Sequence, residues 1–296
     1  MYTTLITADQ LSAHLLSGQR VKIFDCSFDL MQAGAGRQQY ESVHIAGALY
    51  ADLDTDLSDK RPGASTPSGG RHPLPAPERF AQWLVSTGMS KDMQVVVYDR
   101  QNSGFCGRLW WMLKWVGHEA VAVLDGGLAA WQAAGGSVQS GGGVSTAGGN
   151  FTLGTPLAPL VGVEQVAQRL AQAGQTVIDA RAEPRYTGQT EPLDPVAGHI
   201  PGALNRPFNL NLLPDGRFKS ADLLRQEFQA LLGQRDPATV VHQCGSGVTA
   251  ISNLLAMEIA GLGRAPLFAG SWSQWCSDPA RPVARGSEAG GLHIPP

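Results

Sequence analysis

The stretch "ATVVHQCGSGVTAISNLLAMEIA", Ala238 to Ala260, changes its hydrophobic period part-way along. Thr239, Val240 and Val241 make a β-branched run suited to a buried strand, whereas Ile251, Leu254, Leu255 and Ile259 recur at three and four residues, one face of a helix. Cys244 falls in the glycine-spaced turn between them. Strands alternating with helices build parallel sheets covered on both faces, and ligands gather at the carboxyl ends of such strands. The stretch therefore reads as α/β, with Cys244 at a ligand-binding end of the sheet.

Working outward, the same grammar occurs twice. "LDGGLAAW", ending at Trp131, answers "LFAGSWSQW", ending at Trp275, and this offset of 144 residues carries back to "QVVVYD" (Gln94 to Asp99) against "ATVVHQ" (Ala238 to Gln243). Gly117 then falls on Gly261, Gly126 on Gly270, and Arg100 on Cys244. Upstream, "VHIAGAL" (Val43 to Leu49) answers "GHIPGAL" (Gly198 to Leu204), and "IFD" ending at Asp25 answers "VID" ending at Asp179. This is a duplication at domain scale, too long in period for a solenoid. Between the copies, "GGSVQSGGGVSTAGGN" offers little to bury and reads as a linker. Domains are expected over residues 1–134 and 158–296, with a Gly/Ser-rich linker over 135–157.

With 296 residues the chain has the length of two domains and can bury a sizeable core. Charged residues are 16% and the net charge is -3, which leaves no basic face for nucleic acid. No run approaches the roughly 18 apolar residues of a membrane span, and the first residues lack an export signal. A cytoplasmic protein is expected, without nucleic-acid or membrane partners. Cys26, Cys106, Cys244 and Cys276 show neither C-x-x-C spacing nor paired histidines, so free thiols are expected rather than a metal site or a disulfide framework.

Gly245 and Gly247 can adopt backbone angles that shape the turn into a nest of N–H groups at a helix start. Such a nest stabilises a thiolate, a persulfide anion or a bound oxyanion. A cysteine phosphatase would follow C-x5-R, but the sixth position after Cys244 is Ala250. A cysteine hydrolase needs a histidine beside the sulfur, and His242 precedes Cys244 on the same strand. The seven tryptophans read as core and domain-interface packing, and His44 and His199 as groups that satisfy backbone near a strand.

Taken together, "HIAGA" and "HIPGA" in the two halves, "LDGG...W" closing the first, and "CGSGVT" in the second resemble the two-domain rhodanese-type sulfurtransferases, in their 3-mercaptopyruvate branch. The resemblance covers nearly the whole chain. It implies two tandem rhodanese-like domains, a silent first domain, an active site in a cleft between the halves, and a persulfide on Cys244. No metal or organic cofactor is implied. The partners implied are a small-molecule sulfur donor and a thiol, thioredoxin-like or cyanide acceptor.

The resemblance also assigns parts. Ser246, His72 and Asp54 match the family's proton-relay serine, histidine and aspartate; the alternative for His72 is a surface histidine before a proline-bound turn. Arg185 matches the substrate-binding arginine, and Arg181 sits at the "DAR" strand end, where the alternative is pinning a loop against a carboxylate. Gly245, Gly247, Val248 and Thr249 are expected to line the donor site. The thiosulfate branch has Arg and Lys after the cysteine, whereas Gly245 and Ser246 stand here, which favours a donor whose charge lies away from its sulfur. The family's second clamp arginine is replaced by Leu193, so Arg71 is the candidate substitute. Thiosulfate:cyanide transfer is the rival within the class, and a module that carries or senses sulfur without turnover is the rival outside it.

Overall fold

The computed structural model describes residues 1–143, 148–170, 172 and 174–287. The chain divides into two compact units. One gathers Met1–Ser65, Pro75–Leu157 and Leu212–Phe218; the other gathers Thr66–Leu74, Ala158–Asn211 and the chain from Lys219 onward.

In the first unit a parallel sheet runs in the order Leu5–Ile6, Val121–Leu124, Gln94–Tyr98, Val21–Asp25, Leu49–Tyr50. Gln94–Tyr98 is buried along its whole length, as expected of a strand covered on both faces. Ile6, Ile23, Val96, Ala122 and Trp131 meet in the core on one side. Trp110 and Trp111, on the helix Cys106–Trp115, are each 1% exposed, so packing accounts for them.

The second unit repeats the plan. Val240–Gln243, Thr176–Asp179 and Leu204–Asn205 pair in parallel, and single parallel bridges continue the sheet to Leu267 and Leu160. Val177, Val241, Phe268, Trp272 and Trp275 form its core. The helix Ala250–Ile259 follows the Cys244 loop as its apolar period requires, and is buried over most of its length.

Two expectations change here. The loop between the strand Gln94–Tyr98 and the helix Cys106–Trp115 has seven residues, against six between Val240–Gln243 and Ala250–Ile259. The residue that follows the strand, as Cys244 does, is thus Asp99 and not Arg100. The glycine-rich segment also departs from the linker reading. Its Val138–Gln139 pairs antiparallel with His44–Ile45, Phe151 is 4% exposed, and the N–H groups of Gly154 and Leu157 donate to Val116 and Lys114 at 2.9 Å each. A β-carbon at Gly136 would overlap Trp131, and one at Gly149 would overlap Met89 backbone. Gly136 and Gly149 thus permit close approach, whereas Gly135, Gly141, Gly142 and Gly148 have open space around them. Among the described residues, no helix is long and apolar enough to cross a membrane.

Candidate active site

Cys244 is 2% exposed at the end of its strand. Its N–H donates to Ser271 Oγ at 3.1 Å, and its carbonyl accepts from Trp272 N–H at 3.0 Å. Ser271 takes φ 53°, an uncommon left-handed angle, and its hydroxyl donates to the Phe268 carbonyl at 2.9 Å. The cysteine is thereby held from behind, leaving the far side of the loop to the turn Gly245–Thr249. Gly247 has φ +73°, and a β-carbon there would run into the Ala269 carbonyl, so this position requires glycine twice over.

The first unit displays what such a loop does with negative charge. Asp99 Oδ1 accepts from the N–H groups of Gln101 and Ser103, and Oδ2 from those of Phe105 and Cys106, at 2.8 to 2.9 Å. Four amides thus converge on one carboxyl group; burial raises its pKa, and the bonds from these amides oppose that rise. In the second loop a cysteine stands where that aspartate does. Among the described residues, the N–H groups of Gly245, Ser246, Val248 and Thr249 donate to no protein acceptor.

Ser246 is 5% exposed and its Oγ lies 2.8 Å from Nδ1 of His72, itself 3% exposed. Serine hydroxyl and imidazole can each donate or accept, so the pair can pass a proton. His72 belongs to the segment Thr66–Leu74, which is tied down next to the loop: Arg71 N–H donates to Ser273 Oγ at 3.0 Å and Gly69 N–H to Gln274 Oε1 at 3.3 Å. Although this segment lies in the first half of the chain, it packs as part of the second unit. Arg71 and His72 thus fall within residues 1–134 of the sequence and pack with the second unit.

A line of alternating charge leads to the loop. Asp179 pairs with Arg181 at 2.6 Å, Arg181 with Glu191 at 3.2 Å, Glu191 with Arg185 at 2.6 Å, Arg185 with Asp194 at 3.2 Å, and Asp194 with Arg71. At its end, Arg71 Nη2 lies 3.0 Å, and Arg185 Nη1 and Nη2 3.5 Å, from where a β-carbon of Gly245 would stand. Two guanidiniums thus face the residue after Cys244. Burial works against the charge on both Arg181 and Glu191, yet their partners prevail: the Arg181 pKa is raised, chiefly by Asp179, and the Glu191 pKa is lowered, chiefly by Arg185.

The other thiols and the nearby histidine are poor nucleophiles or bases. Burial pushes Cys26 and Cys106 well above the ordinary thiol range, helped by Asp25 and Asp99 respectively, and burial also raises Cys276. His242 is fully buried, its Nε2 lies 3.0 Å from Met257 Sδ, and burial lowers its pKa to about 3.

A family model described as rhodanese-like domain matches residues 7–134 and again 162–278. The chain belongs to the rhodanese-like family. A probable 3-mercaptopyruvate sulfurtransferase of Pseudomonas aeruginosa is 45% identical over 95% of this chain and 98% of its own. A Mycobacterium tuberculosis protein provisionally named thiosulfate sulfurtransferase SseB is 40% identical over 96% of this chain and 97% of its own. Among solved structures, the 3-mercaptopyruvate sulfotransferase SseA of Escherichia coli superimposes with a TM-score of 0.76 at 32% identity, covering 92% of this chain and all of that one.

Within this rhodanese-like chain the structure gathers Cys244, Ser246, His72, Arg71 and Arg185 around one loop. Arg181 is placed differently from Arg71 and Arg185. It is 3% exposed, its guanidinium is taken up by Asp179, Glu191 and the Gly198 carbonyl, and it stacks 4.7 Å over Trp272. These contacts match the loop-pinning alternative for this arginine. Val248 is 4% exposed and points its apolar side chain into the unit, so only its backbone can serve a ligand; Thr249 opens the helix without a side-chain cap bond. Asp54 lies in the first unit, where Lys60 Nζ donates to it. His44 and His199 bond the Tyr40 and Tyr186 carbonyls at 2.7 and 2.8 Å, as expected. Sequence reasoning missed Asp194, Ser271 and Asp99. The acidic spacing Glu191 to Asp194 after two arginines was the available signal for the first. Among the described residues, no cluster of His, Cys, Asp or Glu could hold a metal ion.

Proposed function

We propose that this chain moves sulfur from 3-mercaptopyruvate through a persulfide on Cys244 to a thiol acceptor, thioredoxin-like or small, or to cyanide. The observation that carries the proposal is the approach of Arg71 and Arg185 to Gly245, with Ser246 bonded to His72 at 2.8 Å beside them. A donor with a carboxylate at one end and a sulfur at the other suits that arrangement: the carboxylate meets the guanidinium N–H groups while the sulfur reaches Cys244. Cys244 thiolate attacks the donor sulfur, the S–S bond forms as the C–S bond breaks, and the electron pair leaves on carbon as pyruvate enolate. The Ser246 hydroxyl protonates the enolate and His72 restores its proton. The acceptor thiolate then takes the outer sulfur and releases Cys244. Asp54 enters this reading through the family resemblance alone, as the match to its proton-relay aspartate. Residues 1–134 are read as the non-catalytic domain and 158–296 as the catalytic one, and four free thiols fit a reducing cytoplasm.

The second reading is thiosulfate as donor, favoured by the name of the Mycobacterium tuberculosis relative and by two cations close to the loop. Pyruvate release from 3-mercaptopyruvate is measured against thiocyanate formation from thiosulfate and cyanide. The proposal expects the larger kcat/KM for the first, and one added sulfur in the intact mass that is lost in Cys244→Ser. A larger kcat/KM for thiosulfate reverses the assignment, and sulfur retained by Cys244→Ser removes Cys244 as carrier.

A further inference from the structure

Asp194 is paired with both of the guanidiniums that approach Gly245. Its side chain is 3% exposed, and its two oxygens are divided between the guanidiniums that face the loop: Oδ1 accepts from Arg71 Nη1 and Oδ2 from Arg185 Nη2, the latter at 3.2 Å. Its aim is held from behind, because the N–H groups of Leu193 and Asp194 donate to Glu191 Oε1 at 3.1 and 3.2 Å. Three guanidiniums and three carboxylates alternate along this line, so their formal charges cancel. An arriving carboxylate meets Arg71 Nη2 and Arg185 Nη1 and Nη2 on the Gly245 side but no surplus positive charge, and it must compete with Asp194 for Arg185 Nη2 and for the charge of both guanidiniums.

We propose that Asp194 is an internal latch on the donor site: it holds the Arg71–Arg185 fork at rest, and a donor carboxylate binds by displacing it. This rests on the mercaptopyruvate reading above. The latch weakens the hold on every monocarboxylate, the product included, since pyruvate keeps the carboxylate after its sulfur has gone. An internal competitor then hastens product departure at the cost of donor affinity.

Asp194→Asn keeps the shape and removes the charge, and Asp194→Ser provides a second neutral variant should the first fold poorly. In both, KM for 3-mercaptopyruvate is expected to fall about ten-fold, the scale of one charge-assisted contact no longer contested. Pyruvate binding by calorimetry, in a Cys244→Ser background, is expected to tighten by the same factor, and Asp194→Glu is expected to return both toward wild type. An Asp194 that merely braces the arginines gives the opposite sign: KM rises and pyruvate binding weakens. Either that result or unchanged values overturns the latch. If wild type releases no pyruvate from 3-mercaptopyruvate, the functional reading fails, while the calorimetry, which needs no turnover, still decides the latch.

Discussion

Gly247 is the residue on which the shape of the Cys244 loop turns. Its φ of +73° lies where a β-carbon is disfavoured, and the Ala269 carbonyl fills the space that such a carbon would take. Ala269 adjoins Gly270 and Ser271, whose hydroxyl accepts the Cys244 N–H, so a displaced Ala269 also moves the support behind the sulfur. Gly247→Ala is expected to cost about 1–3 kcal/mol of strain, lowering Tm by several degrees, and to reduce kcat more than the stability loss explains. Thermal unfolding and donor kinetics on the folded variant test this. Gly245 differs, since its restriction comes from Arg71 and Arg185 rather than from backbone.

The loop as an element sets which donor the chemistry accepts. Replacing Gly245 with Arg and Ser246 with Lys adds two cations beside Arg71 and Arg185, favouring thiosulfate, a dianion, over a donor whose charge lies away from its sulfur. It also removes the hydroxyl 2.8 Å from His72 Nδ1. The double variant is therefore expected to gain kcat/KM for thiosulfate and lose it for 3-mercaptopyruvate, with far-UV circular dichroism to verify the fold. A donor ratio that does not move would show that loop charge does not select the substrate. In the first unit's loop four amides are already spent on the Asp99 carboxyl group, which fits the non-catalytic role proposed for that domain.

On the scale of the molecule, buried histidines couple stability to pH. His242 is neutral when folded, with a pKa lowered to about 3 from 6.5, and takes up a proton on unfolding. Below pH 6.5 the unfolded chain thus binds more protons, and stability falls as the pH drops toward 3. Between pH 7.5 and 5.5 this one group costs on the order of 1 kcal/mol, from the linkage relation. His118 and His199, lowered by burial, act with the same sign. His242→Leu is expected to flatten the change in urea midpoint between those pH values, and a slope identical to wild type would show that His242 is already protonated when folded.

The alternation of strand and helix, the duplication, and Cys244 at a strand's carboxyl end were all determined by the sequence alone, because side-chain period and glycine spacing act over a few neighbouring residues. The tertiary structure decided which distant groups meet. Arg71 and His72 lie far from Cys244 in the chain, yet the segment Thr66–Leu74 packs beside its loop. Arg181 went to a buried pairing and Arg185 to the loop, a choice that depends on burial and on the carboxylates Glu191 and Asp194 rather than on the "DAR" motif itself. Glycine abundance could signify slack or close packing, and only the contacts of Gly136, Gly143 and Gly149 within the folded first unit show where it is close packing. Asp99, rather than Arg100, proved the counterpart of Cys244 because a one-residue difference in loop length leaves the hydrophobic pattern of strand and helix unaltered. Pattern encodes which face is apolar; register and contact across long sequence separations are settled only by the folded backbone.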